Sequence, residues 1–206
     1  CSLGLCYELG TGVEKDPAHA VELYRQAAEA GYVQAQCNLG FCYYRGIGVA
    51  EDDGEAAKWF ATAAQAGQAR AQQLLGECYE NGCGVEKDIG KAVELYAKAH
   101  EQHYPTATCA LGTCYEFGKG VAEDKARAAR LYLEAAQRGS AWAQCNYGYC
   151  RYQGIGVEQD YREAVKWFRK AADQGSTRGM YLLGRCYERG DGVERDVPKA
   201  RELYRK

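Results

Sequence analysis

The chain has no excess of either charge and no long apolar segment. Lysine and arginine together number 26, aspartate and glutamate number 28, and the net charge is -2. A groove for a polyanion needs a concentration of basic side chains, so we expect no nucleic-acid partner. No apolar run approaches the ~18 residues that span a bilayer, so we also expect no insertion into a membrane.

Residues that carry out chemistry are scarce as well. The chain has 3 histidines, and it contains no Ser-His-Asp order, H-E-x-x-H sequence or phosphate-binding loop. His100 and His103 stand near Cys109, which suggests a metal site, but a frayed helix end followed by Tyr104-Pro105 explains them better. We therefore predict a protein that is not an enzyme, with no catalytic residues, no metal site and no cofactor.

A repeat of 36 residues organises the chain. Its marker is a pair of residues that recurs without insertion or deletion, at Leu3-Gly4, Leu39-Gly40, Leu75-Gly76, Leu111-Gly112, Tyr147-Gly148 and Leu183-Gly184. Such a period is typical of helical arrays. We predict one solenoid over residues 1–206, with both ends truncated and repeats at about 1–30, 31–66, 67–102, 103–138, 139–174 and 175–206. Truncated ends would expose apolar helix faces, so end-to-end self-association is a further expectation.

Each repeat is predicted to form two helices, helix A and helix B. In the second copy, helix A covers residues 31–45 and contains Gly40, which costs ~1 kcal/mol relative to alanine and implies close approach of a neighbouring helix. Gly46 suits the left-handed residue that ends this helix. Asp52 is placed to cap helix B, whose buried stripe includes Phe60. The result is a helical hairpin that buries its faces by stacking on the next hairpin.

The repeated pattern A-x-x-x-L-G-x-x-Y-x-x-G-x-G-V-x-x-D-x-x-x-A-x-x-x-Y/F-x-x-A-A-x-x-G resembles the SEL-one-like repeat (SLR) family, a relative of the tetratricopeptide repeats. The resemblance covers essentially the whole chain. It implies an all-α, right-handed α/α superhelical solenoid in which the A helices line a concave face. It also implies an adaptor or scaffold for protein complexes. The chain departs from the pattern where His100 and His103 replace Ala and Gly, and where Arg151 replaces Tyr.

The 11 cysteines mostly recur at fixed places in the repeat. Cysteine-rich secreted members of the family join helix B to the next helix A by a disulfide, but the matching positions here hold pairs such as Ala28 with Gln36. We interpret the recurring cysteines as small core residues and expect a reducing compartment such as the cytoplasm. A thiol ladder that binds metal or senses oxidation is the alternative, but its spacing is not that of a known zinc site. Cys83, in a loop, is predicted to be exposed and reactive.

The stripe of helix A that differs between repeats is where we expect specificity. By analogy with tetratricopeptide geometry it faces the concave side, and it mixes aromatic rings with charges and an asparagine that can bind a peptide backbone. The predicted partner-binding residues are Asn38, Phe41, Tyr44, Trp142, Asn146, Tyr149, Tyr152, Arg178 and Arg185. Trp59 and Trp167, on helix B, are predicted to be half-buried packing residues.

These residues lead to the hypothesis of a groove that binds a protein or peptide segment. Its centre would be Trp142, Tyr149 and Tyr152, with Phe41 and Tyr44 as a second pocket. The alternative is that the same aromatic rings only pack against helix A of the adjoining repeat. Other functions stay open at this point: a binder of small molecules or cell-wall fragments, as some exported members of the family suggest, or a passive spacer in a larger protein.

Overall fold

The structure is a computed structural model that describes residues 2–205. Within that range it contains twelve α-helices and no strand, which confirms the all-α class. The helices are α1 (Ser2–Leu9), α2 (Pro17–Glu29), α3 (Val33–Arg45), α4 (Asp53–Gln65), α5 (Ala69–Asn81), α6 (Ile89–Glu101), α7 (Pro105–Phe117), α8 (Lys125–Gln137), α9 (Ala141–Gln153), α10 (Tyr161–Asp173), α11 (Thr177–Arg189) and α12 (Val197–Tyr204). They form two compact units that divide between Gln102 and His103. We call these the N-terminal unit (α1–α6) and the C-terminal unit (α7–α12).

Both ends of the helices are formed as the sequence predicts. Each helix B begins after an aspartate whose side chain accepts a hydrogen bond from a backbone N–H three residues later, at Asp16, Asp52, Asp88, Asp124, Asp160 and Asp196. Each complete helix A from α3 to α11 ends at a glycine in the left-handed conformation, such as Gly46 with φ 62°. The predicted start at Gly31 is wrong by two residues. Helix α3 begins at Val33 because Gly31, with φ 87°, still belongs to the turn that closes α2.

The glycine inside helix A lets an aromatic ring from helix B of the same hairpin lie directly on the backbone. A Cβ atom added at Gly148 would stand 2.6 Å from the Phe168 ring, closer than side chains tolerate. The same ring contact recurs in every hairpin, as Gly4 with Tyr24, Gly40 with Phe60, Gly76 with Tyr96, Gly112 with Tyr132, Gly148 with Phe168 and Gly184 with Tyr204. This close packing offsets the low helix propensity of glycine.

Cysteines fill the core between the helices. Eight of the recurring cysteines are buried: Cys37, Cys42, Cys78, Cys109, Cys114, Cys145, Cys150 and Cys186. The described cysteines all carry free thiols, and Cys1 lies outside the described residues. Cys83 is only partly buried, so it is less exposed than predicted. Of the two helix-B tryptophans, Trp59 is half-buried as predicted, but Trp167 is buried, with its Nε1 donating to Glu163 at 3.0 Å.

Glutamine side chains form hydrogen bonds between the helices. Gln36 donates from Nε2 to the carbonyl oxygen of Ala28 at 3.2 Å, and Gln144 donates to that of Ala136 at 3.2 Å. A further glutamine, Gln174, donates to Oε1 of Gln144 at 2.8 Å. The bonds of Gln36 and Gln144 to the alanine carbonyls are buried and join helix B of one repeat to helix A of the next, whereas the Gln174 bond joins the end of α10 to α9 of the same repeat. Polar contacts of buried glutamines therefore connect successive hairpins.

The histidines near the middle of the chain do not fray their helix. Helix α6 has the same 13 residues as the other complete helices, so the predicted fraying is wrong. His103 adopts φ 60°, close to the left-handed conformation that Gly31, Gly67, Gly139 and Gly175 adopt at the same place in other repeats. The turn is kept although its glycine has been replaced.

Candidate functional site

The A helices of the C-terminal unit, α7, α9 and α11, enclose a pocket of about 190 Å³. We call it the aromatic pocket, and it is lined by Thr113, Glu116, Phe117, Tyr132, Trp142, Asn146, Tyr149 and Arg178. Four of these residues were predicted from the sequence: Trp142, Asn146, Tyr149 and Arg178. The structure adds three from α7 and Tyr132 from α8.

Arg178 ties the predicted residues of this pocket together. Its guanidinium carbon lies 4.5 Å from the centroid of the Trp142 ring, which is a cation–π distance. Its Nη1 donates to Oδ1 of Asn146 at 2.7 Å. Asn146 is only 9% exposed, and its Nδ2 donates to Sγ of Cys109 at 3.4 Å. Asn146 therefore connects α7, α9 and α11 through its own amide.

Glu116 and Tyr132 form the polar side of the aromatic pocket. The Tyr132 hydroxyl donates to Oε2 of Glu116 at 2.6 Å and lies 3.1 Å from the hydroxyl oxygen of Thr113. Burial raises the pKa of Tyr132 well above its usual range, and the hydrogen bond to Glu116 raises it further. The phenol is consequently neutral and remains a donor to the carboxylate.

This pair is one of two alternatives that the six repeats use at the same two positions. In four repeats a helix-B tyrosine donates to a helix-A glutamate: Tyr24 to Glu8, Tyr96 to Glu80, Tyr132 to Glu116 and Tyr204 to Glu188. In the other two a helix-A tyrosine contacts a helix-B phenylalanine: Tyr44 with Phe60 and Tyr152 with Phe168. Glutamate always accompanies tyrosine, and tyrosine always accompanies phenylalanine. This paired exchange is the sequence signal that could have placed Glu116 and Tyr132 in the site, and neither residue was among those predicted.

The remaining predicted residues of the C-terminal unit lie one repeat further on. Tyr149, Tyr152 and Arg185 line a niche of about 10 Å³ together with Phe168 and Leu182. Tyr152 is held on two sides, because its ring lies 5.0 Å from that of Tyr161 and its hydroxyl donates to Asp191 at 2.5 Å. Tyr149 borders both the niche and the aromatic pocket. The structure thus brings all six predicted residues of this unit into two adjoining places.

The predicted residues of the N-terminal unit form a smaller arrangement. Nη1 of Arg70 donates to Oδ1 of Asn38 at 3.3 Å, and its guanidinium carbon lies 5.0 Å from the centroid of the Phe41 ring. Tyr44 packs edge-on to Phe60 at 6.2 Å and borders a separate open depression that also contains Cys83. Asn38 and Phe41 are therefore connected through Arg70, whereas Tyr44 is not part of their contact.

The two units repeat this arrangement at positions three repeats apart. Asn38 corresponds to Asn146 and Arg70 to Arg178, and in both units the arginine donates to the asparagine. The residue that corresponds to Trp142 is Gln34, whose Nε2 donates to Asn38 at 3.1 Å. The exposed tryptophan is thus a property of the C-terminal unit. Between residues 2 and 205, no group of three or more His, Cys, Asp or Glu residues could hold a metal ion. No helix of that range is long and apolar enough to cross a membrane.

The Sel1 repeat model matches the chain six times, at residues 1–32, 33–68, 69–104, 105–140, 143–176 and 177–206. A Sel1 repeat protein from Oxalobacter formigenes is 32% identical, with a TM-score of 0.92 and coverage of 99% of this chain and 82% of that one. The protective antigen c5321 of uropathogenic Escherichia coli, which displays an SLR fold, is 40% identical with a TM-score of 0.81. The alignment covers 99% of this chain but only 44% of the antigen.

A more distant similarity is to the cysteine-rich protein B of Helicobacter pylori, which is 28% identical with a TM-score of 0.52. That alignment covers 62% of this chain and 96% of the other protein. The comparison with curated proteins finds no match.

Proposed function

The chain belongs to the Sel1 repeat family, whose members are generally non-enzymatic scaffolds for protein interaction, and from this premise we propose that the aromatic pocket is where it binds a peptide segment of a partner protein. The chain spans less than half of the E. coli antigen, so the proposal concerns this array and its own side chains. The partner is a protein or peptide, and the segment lies across α7, α9 and α11.

The exposed rings of Phe117 and Trp142 are the observation that carries this proposal. Phe117 is 62% exposed and Trp142 is 58% exposed, although both border a pocket. Rings that pack helix A against helix B are buried, as Phe60 and Phe168 are here. An exposed aromatic ring beside a partly filled pocket is typical of the anchor positions that dominate protein interfaces.

The polar side chains around these rings fit a peptide as well. Arg178 keeps N–H donors beyond the one used by Asn146, because a guanidinium has five. Glu116 and Thr113 supply acceptors at the other side of the pocket. A few polar groups around an apolar centre fix the register of an extended chain without contributing most of the affinity.

Selection from a random peptide library displayed on phage tests this function. The chain is immobilised, and the selected peptides are then measured by fluorescence anisotropy against the wild type and two variants. Trp142→Ala should weaken binding by at least ~10-fold, as for an anchor residue. Tyr32→Ala is the matched control, because Tyr32 is an exposed aromatic residue of the N-terminal unit, and it should leave the affinity unchanged.

Two results would contradict the proposal. One is a selection that enriches no peptide. The other is a set of peptides that bind the wild type and Trp142→Ala equally well while both proteins keep the same helical circular dichroism spectrum. The second result would move the binding site away from the aromatic pocket.

A further inference from the structure

The open space of the aromatic pocket lies where two of the other repeats place an aromatic side chain. Thr113 stands at this position, and its counterparts are Tyr149 one repeat later and Phe41 two repeats earlier. Where Tyr149 stands, only about 10 Å³ remains, compared with about 190 Å³ at Thr113. The pocket therefore has room for one aromatic side chain, and the fold already accommodates such a side chain elsewhere.

The lining of the pocket favours a ring that carries a hydroxyl group. Glu116 accepts a hydrogen bond from Tyr132, and a carboxylate with two oxygens can accept several. A phenylalanine would leave that carboxylate facing an apolar edge, which is unfavourable once the inserted ring has displaced water from the pocket. A tyrosine can donate its phenolic proton to Glu116 while its ring lies between Phe117 and Tyr149.

The rim of the site is basic. Arg178 and Arg185 lie two turns apart on α11, which separates them by ~10 Å along the helix axis. Arg178 stacks on Trp142, and the guanidinium carbon of Arg185 lies 5.9 Å from the centroid of the Tyr181 ring. Among the described residues neither arginine has an ion-pair partner. Arg178 lines the aromatic pocket and Arg185 lines the niche, and Tyr149 borders both.

Resting on the proposed function, we propose that the partner segment inserts one tyrosine side chain into the aromatic pocket beside Thr113 and Glu116, and that acidic residues next to this tyrosine contact Arg178 and Arg185. The basic rim favours acidic residues on either side of the anchor, and the open space beside Thr113 favours an aromatic anchor.

Four short labelled peptides test this inference directly. The first has one tyrosine between two glutamates. The other three replace the tyrosine by phenylalanine, the tyrosine by alanine, or both glutamates by lysines. Fluorescence anisotropy at low salt should rank the first peptide highest, about 10-fold above the alanine and lysine peptides and about 3-fold above the phenylalanine peptide. Raising the salt concentration should weaken binding of the acidic peptides, since their contacts with the rim arginines are screened.

Variants of the protein assign each preference to its residues. Thr113→Tyr fills the pocket and should abolish the preference for the tyrosine peptide over the alanine peptide. If this variant fails to fold, the triple variant Thr113→Tyr, Glu116→Tyr and Tyr132→Phe replaces it, because it copies the set at Tyr149, Tyr152 and Phe168. Thr62→Tyr, at an exposed position of α4, is the matched control and should bind as the wild type does.

The charge preference is tested with Arg178→Gln and Arg185→Gln, which should bind the glutamate and lysine peptides about equally. The inference is overturned if the acidic tyrosine peptide does not bind at ~1 mM, or if Thr113→Tyr leaves its affinity unchanged. Either result leaves the proposed function standing when library-selected peptides still depend on Trp142. If no library peptide is selected either, the proposed function fails as well.

Discussion

At the scale of single residues, the cysteines show how this core depends on keeping side chains uncharged. Burial raises the pKa of Cys42, Cys78, Cys109 and Cys150 from 9.0 to about 12. Desolvation is the main cause in each case, because a thiolate loses its hydration inside a packed helical array. The neutral thiol is a small apolar residue, and it fills the space between helices without needing a strong hydrogen-bond partner.

These thiols should make the protein unstable at alkaline pH. Their folded pKa values lie above the unfolded value, so their stabilising effect is complete below about pH 9 and is lost as the pH rises toward about 12. We expect the free energy of unfolding, measured by urea titration in a reducing buffer, to fall by at least ~2 kcal/mol between about pH 9 and about pH 11. Cys150→Ala should reduce that fall. An unchanged free energy across this range would contradict the assignment.

At the scale of helices, the two alternatives beside each mid-helix glycine determine how helix A packs on helix B. A glutamate accompanies a tyrosine hydroxyl, and a tyrosine accompanies a phenylalanine. Mixed pairs would leave either a partly buried carboxylate or a buried hydroxyl without its partner, which costs more than the hydrogen bond itself stabilises. This is a physical reason for the strict association of the two positions.

Exchanging the pair at one repeat tests this reason. Tyr132→Phe should lower the free energy of unfolding by about 1–2 kcal/mol, because Glu116 loses its donor. Adding Glu116→Tyr should recover most of the loss, as a double-mutant cycle in urea would show by a coupling of at least ~0.5 kcal/mol. Tyr181→Phe, an exposed tyrosine on α11, is the control. A double variant that is no more stable than Tyr132→Phe would show that the two residues act separately.

The buried glutamine hydrogen bonds should also stabilise the packing between helices. Gln144→Leu removes the donor to the buried Ala136 carbonyl and the acceptor of Gln174, so it should cost about 1–3 kcal/mol. Gln137→Leu, at an exposed position of α8, should change stability little. Thermal unfolding followed by circular dichroism measures both. Equal effects of the two substitutions would mean that the buried hydrogen bond does not stabilise the stack.

At the scale of the whole molecule, each hairpin contacts mainly the neighbouring hairpins of its own unit, as expected of a repeat array. Hydrogen exchange should therefore be fastest in the two terminal helices, α1 and α12. Each has 8 residues instead of 13, and α1 exposes Leu3, Leu5 and Leu9. Mass spectrometry should find their amides exchanging at least ~10-fold faster than those of α3 and α9. Uniform protection from α1 to α12 would indicate a single cooperative body.

The fold could be predicted well from the sequence because each repeat contains residues whose local conformational preferences define its helix ends. Asp52 caps a helix N-terminus with its side chain, and Gly46 adopts the left-handed conformation that ends a helix. Because the same residue types recur in all six repeats, these assignments do not depend on a single match. The candidate site was predicted less completely. Trp142 and Arg178 stood out as variable residues on helix A, but Glu116 and Tyr132 repeat so regularly that they look purely structural. Only their distances reveal that they line the same pocket as the variable residues.

Each repeat carries one of two interchangeable residue pairs, either glutamate with tyrosine or tyrosine with phenylalanine. Both pairs fit the same backbone and the same 36-residue period. Exchanging the pair in one repeat therefore does not alter the packing of the next repeat. A cavity can open at one hairpin and close at its neighbour through the exchange of three side chains, at the positions of Thr113, Glu116 and Tyr132. Evolution can therefore change one repeat at a time, and a new partner can be acquired while the backbone and the packing of the other repeats stay the same.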